Sequence, residues 1–398
     1  MFSENKYINS LSEKNFVFCG LPQRKTFDEY MKALDRMKIL CSASEEVLSA
    51  YTFGEVKAPG ISDIDIIIVL KENAVLPEFL KRISPEKKYR YVFLHPFFIV
   101  PKKFMENISY IHPNSEYKRI YGEEIKIKKL RGNDIKEIYS CLINDVIMRH
   151  FPSDYLNVLL SKRIDARLCL VRLNALHHSF SIFKKISGVS KPEWEKISED
   201  ISNLRKMWFE LPSSTAKREL MSLVKRAVYI SLDFVEEYKN FLSKKSGRGL
   251  NCKEGLFRGI QNRISFVKGW NPKNSLEEMI AHYKKYKNFY SVLPCELSEY
   301  LHSYSIVKGP LSLYISKRLE RRMKSPQLSS KLINPTLIKR IQLSNYQVSY
   351  AMKLKHSHFP CFFPLGFKNT KGLKNKAIYA YVRIKDHSLF RRLTWYLG

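Results

Sequence analysis

The sequence predicts an α+β protein: a mixed α/β N-terminal third followed by a large helical region. Three observations carry this. The run Ile64-Asp65-Ile66-Ile67-Ile68-Val69-Leu70 has the β-branched composition of a buried central strand. Beyond Asn133, apolar residues recur at the three-and-four spacing of helix faces. Hydrophobic residues are 44 % and charged residues 27 % of the 398, which is enough apolar surface for a sizeable core and excludes wholesale disorder. The length suits two or three domains, which we place at 1–130, 131–247 and 248–398.

In chain order, residues 26–41 read as a helix with Phe27, Tyr30, Met31, Leu34, Met37 and Leu40 on its apolar face. Val47–Phe53 reads as a short strand, and a loop with Pro59 and Gly60 leads into the Ile64–Leu70 strand. Tyr89–Leu94 and Phe97–Val100 are further strand candidates, broken by Pro96. Helices are expected at 134–150, from Ser153 to Gly188, from Pro192 to near Pro212, and at 214–243. Ser246–Asn251 reads as a boundary loop. Ser275 and Glu278 have capping-box spacing and open a helix to about Tyr290. Shorter helices are expected at 310–324 and 335–352, and 377–385 fits either strand or helix.

The chain carries 69 Lys or Arg against 38 Asp or Glu, a net charge of +31. Residues 301–398 hold 19 cations and two acids, Glu320 and Asp386, a net +17 interleaved with Tyr and Phe. Acids are so scarce there that ion pairs within the segment cannot neutralise it. A polyanion, RNA above all, is the expected partner, with aromatics to stack on unpaired bases; an anionic membrane surface is a further reading. No apolar run approaches the ~20 residues of a membrane-spanning helix. Seven scattered cysteines without a CxxC pair fit free thiols in a reducing compartment, so a cytoplasmic location is expected.

One segment carries chemistry: Tyr51-Thr-Phe-Gly-Glu-Val-Lys-Ala-Pro-Gly-Ile-Ser-Asp-Ile-Asp-Ile-Ile-Ile-Val69. Alternate residues of a strand share a face, so Asp63 and Asp65 should project together while Ile64 enters the core. Two carboxylates so close call for a cation, and hard oxygen donors suit Mg²⁺ or Mn²⁺ completed by water and phosphate oxygens. Gly54 lets the backbone approach a phosphate closely. His177-His178 lies in an expected helix, where adjacent residues do not share a face. His356-Ser-His358 would share a face if extended, but no third ligand is evident.

Phe53-Gly54-Glu55, seven residues, then Asp63-Ile64-Asp65-Ile66 resembles the signature of the DNA polymerase β-like nucleotidyltransferases, and Pro59–Asp63 is similar to the loop of their small bacterial and archaeal members. The resemblance covers roughly residues 25–130, with a weaker echo at Tyr121-Gly122-Glu123-Glu124. It implies a nucleotidyltransferase-like mixed sheet with flanking helices and an appended helical part. It implies further that Asp63 and Asp65 hold Mg²⁺ or Mn²⁺ against the triphosphate of an NTP while an acceptor hydroxyl, with RNA a candidate acceptor, attacks the α-phosphate. Gly54, Glu55, Lys57 and Ser62 would line the nucleotide. Two departures mark the segment. Glu55 stands where the family has Gly or Ser, and the expected place of a third carboxylate, Tyr89–Val100, holds no acid but has His95, a candidate base. They motivate the alternative of a catalytically inactive fold serving as a nucleic-acid-binding or scaffold module.

Overall fold

The computed structural model describes residues 5–81, 84, 86–113, 116–246, 253–259, 263–320, 323, 334–355, 360–363, 365 and 367. The order is α1 (Lys6–Ser10), β1 (Val17–Cys19), α2 (Phe27–Ser42), β2 (Val47–Phe53), β3 (Asp65–Leu70), β4 (Phe98–Pro101), α3 (Lys102–Glu106) and β5 (Tyr117–Gly122). Then come α4 (Gly132–His150), α5 (Ser153–Ser161), β6 (Arg163–Asp165), α6 (Ala166–Ser187), α7 (Pro192–Met207) and α8 (Ser213–Ser246). The last part contains β7 (Gly255–Arg258), β8 (Arg263–Val267), α9 (Pro272–Tyr286), β9 (Ser291–Pro294), α10 (Ser298–Ile306), α11 (Pro310–Ser316) and α12 (Pro335–Lys353). The architecture is mixed α+β and predominantly helical.

The N-terminal sheet runs β4-β3-β2-β5, with β3 parallel to β4 and β2 antiparallel to both β3 and β5. Its centre is β3, whose residues Ile66 to Leu70 are buried on both faces, as the apolar run requires. Ile64, Ile66, Ile68 and Leu70 pack with Tyr30, Ala33, Met37 and Cys41 of α2. That helix opens on a capping box between Thr26 and Glu29, the threonine oxygen accepting from the Glu29 amide and Glu29 accepting from the Thr26 amide. Its buried stripe is rotated from the expected one: Phe27 and Met31 are exposed, and Ala33 and Cys41 face the sheet. Ile67 and Val69 face the other way, onto Val100, Phe104, Ile108, Ile138, Leu343 and Phe362.

The cores join the stretches that the sequence reading separates. Leu343 and Tyr350 of α12 lie in the two cores flanking the N-terminal sheet, while the largest core runs from Ile8 through α4–α8 to Leu365. Arg340 of α12 is buried, donates to the carbonyls of Tyr110 and Ile111 at 2.8 Å each, and pairs with Asp145 of α4 at 2.5 Å. One cation of the basic C-terminal quarter is therefore neutralised from outside that segment.

Several expected elements are corrected. Lys87–Val92 is a 3₁₀ helix, not a strand. The helix expected over 153–188 is two, because Lys162 takes a left-handed conformation at φ 53° and Arg163–Asp165 then pairs in parallel with β1. Helix α9 is capped by Asn271, whose side chain accepts from Lys273 and Asn274, so Ser275 lies inside it and the helix ends at Tyr286. The region beyond 248 contains a three-stranded sheet, β7-β8-β9, and α11 stops at Ser316. Tyr121-Gly122 ends β5 rather than standing in a separate turn. Residues 356, 358 and 377–385 lie outside the described residues.

Candidate functional site

The turn after β2 begins at Gly54, whose φ of +79° is a left-handed conformation costly for other residues; a Cβ there would meet nothing within 4 Å. Gly60 has φ +82°, and a Cβ on it would lie 2.2 Å from the Gln23 carbonyl oxygen, so glycine is required on both counts. Between them the chain folds onto the Ala58 carbonyl, which accepts from the amides of Ile61 and Ser62 at 3.0 and 2.8 Å. Tyr30 of α2 donates to the Ser62 carbonyl at 2.6 Å and accepts from the Gly60 amide at 3.0 Å.

Two arginines from the helical part hold the same loop. Arg167 of α6 is buried and donates to the carbonyls of Ile61 (3.1 Å), Ser62 (3.1 Å) and Tyr91 (2.5 Å), with its guanidinium 3.9 Å from the centre of the Tyr91 ring. Arg205 of α7 donates to the Ser62 hydroxyl at 3.1 Å and to the Leu170 carbonyl at 2.7 Å. The loop carrying the aspartates is thus fixed from two sides before any ligand arrives.

The parallel register places the third group. Ile67 pairs with Phe98, and continuing that register backward sets Asp65 beside Pro96. The Ile64 amide donates to the Val92 carbonyl at 2.9 Å, and Phe93 and Phe97 meet edge to face in the core. His95 is held between them and its imidazole reaches the acid pair: Nε2 lies 2.6 Å from Asp65 Oδ1. Donor atoms of Asp63, Asp65 and His95 all lie within 4.8 Å of one another, the one such cluster of three among the described residues. The Asp65 and His95 side chains are 32 % and 35 % exposed, so the cluster is reachable from solvent.

No family model, curated protein or solved structure matches the chain.

The electrostatics follow from the geometry. Burial and the neighbouring Asp65 carboxylate push Asp63 up to about 6, against the pull of His95 and Arg167. Burial works to lower His95, but the hydrogen bond and charge of Asp65 outweigh it and hold the imidazole above its ordinary value. Two carboxylates and an imidazole in this space form a donor set that fits a divalent ion. Phe53, which precedes Gly54, packs against Phe98 at 5.3 Å, and Phe98 stacks on Phe362 at 4.3 Å and meets the His95 ring at 5.2 Å. An aromatic floor therefore runs under both ends of the site.

The expected site residues thus fall into three groups. Asp63, just before β3, and Asp65, its first residue, come together. Gly54, Glu55 and Lys57 lie exposed on the adjoining turn, where Lys57 Nζ stands 3.4 Å from Glu55 Oε2. Ser62 is buried, and its hydroxyl accepts from the Ala58 amide and from Arg205. Glu86, the acid nearest in sequence before Tyr89–Val100, is engaged by Arg36 and Lys88. The sequence reading missed Arg167 and Arg205, which stand more than a hundred residues away. The one hint was an arginine, Arg167, between the apolar positions of an expected helix. Burial and then Lys57 lower His177 of α6, and burial, His177, Lys57 and Arg205 lower His178 to about 4, so both imidazoles near the turn are held toward the neutral form.

Proposed function

We propose that the chain is a divalent-metal-dependent nucleotidyltransferase, moving a nucleoside monophosphate from an NTP to an acceptor hydroxyl, with RNA as the acceptor that best suits the charge. The observation that carries this is the clustering of Asp63, Asp65 and His95 within 4.8 Å at the head of β3 and β4, beside the Gly54 turn. Phe53 and Asp65 pair at the facing ends of adjacent antiparallel strands, with Gly54 and Asp63 in the connection between them, which supports a nucleotidyltransferase-like arrangement of the N-terminal sheet. Asp63 and Asp65 would hold Mg²⁺ or Mn²⁺. The ion would supply Lewis-acid stabilisation of the charge developing on phosphoryl oxygens.

The other roles belong to the chain itself. The open backbone at Gly54 admits a phosphate closely. Lys57, on the same exposed turn, supplies a cation that a triphosphate can recruit from Glu55, since an exposed pair at 3.4 Å is weak. Arg167 and Arg205 position the loop through its carbonyls and the Ser62 hydroxyl, so Ser62 acts through loop geometry. The test is incubation with labelled NTPs, Mg²⁺ or Mn²⁺ and RNA or small-molecule acceptors. Product is expected from the wild type and not from Asp63→Ala or Asp65→Ala; equal product from all three discards the assignment.

A second reading, an inactive fold used as a nucleic-acid-binding module, is favoured by one observation. The cluster contains two acids, with His95 where a third carboxylate would stand. It predicts RNA binding without metal-dependent NTP binding.

A further inference from the structure

His95 is held in the manner of a metal-ligating histidine. Its Nδ1 lies 2.8 Å from the Pro96 carbonyl oxygen, an acceptor only, so the proton on that nitrogen is fixed. The remaining nitrogen, Nε2, is aimed at Asp65 Oδ1 at 2.6 Å, inside the cluster with Asp63. The ring is also set by its edge-to-face contact with Phe98 at 5.2 Å. A backbone carbonyl that fixes one ring nitrogen while the other points at carboxylates is the outer arrangement that orients imidazole ligands.

From this geometry we infer that Asp63, Asp65 and His95 form a two-carboxylate, one-imidazole site selective for a first-row transition ion over Mg²⁺, with His95 Nε2 as a direct ligand. The inference rests on the reading of Asp63 and Asp65 as a divalent-ion site and adds the identity of the ion. Mg²⁺ demands near-ideal octahedral oxygen coordination and releases its water reluctantly, whereas imidazole nitrogen suits the later ions of the row. An ion held by Nε2 and Asp65 would displace any proton the two share, so its uptake would release protons. Glu55 is not in the cluster, so the nitrogen is not outvoted by a third carboxylate.

Affinity order alone does not prove the point, because most sites bind later ions more tightly than Mg²⁺. The diagnostic quantity is how the preference changes when the nitrogen is removed. Calorimetric titrations of the full chain with Co²⁺ and Mg²⁺ would be compared for the wild type and His95→Asp. The Co²⁺-over-Mg²⁺ preference is expected to fall by at least about tenfold in the variant. A second measurement needs no variant: pulsed EPR of Mn²⁺ bound to the wild type should show nitrogen coupling from one imidazole. An unchanged preference together with an all-oxygen Mn²⁺ spectrum overturns the inference while leaving a divalent site at Asp63 and Asp65. No binding of any of the three ions overturns both.

Discussion

At the scale of single residues, positions without partners are as informative as the cluster. Glu299 and His302, three apart on α10, are both buried, and none of their side-chain polar atoms has a hydrogen-bond partner among the described residues. Burial, then the Glu296 charge, raises Glu299 to about 7; burial, then Lys253, lowers His302 to about 4. A carboxyl raised from an ordinary value near 4.5 makes the protein lose stability as pH rises from about 4.5 to about 7, since the native state then binds the extra proton. A histidine lowered from 6.5 acts oppositely, losing stability as pH falls from about 6.5 to about 4. The two slopes oppose each other over most of this window. The stability of the wild type minus that of Glu299→Gln should therefore fall by up to about 3 kcal/mol between pH 4.5 and 7. Urea denaturation across that range measures it; a constant difference would show that Glu299 is not held neutral.

The glycines of the loop make a second contrast at this scale. Gly60→Ala meets backbone at 2.2 Å and strains a positive φ, whereas Gly54→Ala meets open space. The second should cost about 1 kcal/mol and the first several times more, as read by denaturant midpoints.

At the scale of elements, α12 is the strut that ties the C-terminal quarter to the N-terminal sheet. Besides Arg340, its Tyr350 donates to the Lys71 carbonyl at 2.6 Å and Tyr346 reaches Glu72 at 2.8 Å. Arg340→Met leaves buried Asp145 the Tyr300 hydroxyl, at 2.7 Å, as its one side-chain hydrogen-bond partner among the described residues, and should cost about 3–5 kcal/mol. Converting Asp145 to Leu in the same chain should recover part of that loss. No recovery in equilibrium unfolding would mean that the arginine stabilises through its carbonyl contacts rather than through the ion pair.

Elements were legible in the sequence where burial imposes a period. The strand at 64–70 and α2 follow from runs and spacings, and the opposed faces of Asp65 and Ile64 follow from alternation. The break at Lys162 carries neither glycine nor proline, so nothing local marks it. The β7-β8-β9 sheet depends on pairing β8 in parallel with β9 across α9, a long-range choice that local spacing does not encode. The 3₁₀ helix at Lys87–Val92 reads as a strand by its aromatics, and tertiary contacts decide otherwise. Within the site, the acid pair and Gly54 were legible. His95 was visible only as a candidate, because its approach to Asp65 depends on the β3–β4 register. The arginine clamps are contacts across the fold, which spacing along the chain does not show.

At the scale of the molecule, the proposed function joins the charge of +31 to the acid cluster. A strongly cationic chain attracts polyanions, and on the proposed reading the acids mark the place where a divalent ion would join an NTP or RNA. Binding of a single-stranded RNA oligonucleotide should weaken by at least about a hundredfold between about 50 and about 200 mM salt. Filter binding reads this, and salt-insensitive affinity would remove electrostatics as its source. Among the described residues no helix is long and apolar enough to cross a membrane.

The most direct measurement is a calorimetric titration with a non-hydrolysable NTP analogue, with and without Mn²⁺, on the wild type, Asp63→Ala and Asp65→Ala. Binding is expected to require the ion and to weaken by at least about tenfold in either variant. Equal affinity across all three proteins, or affinity indifferent to Mn²⁺, would contradict a metal-held nucleotide at Asp63 and Asp65.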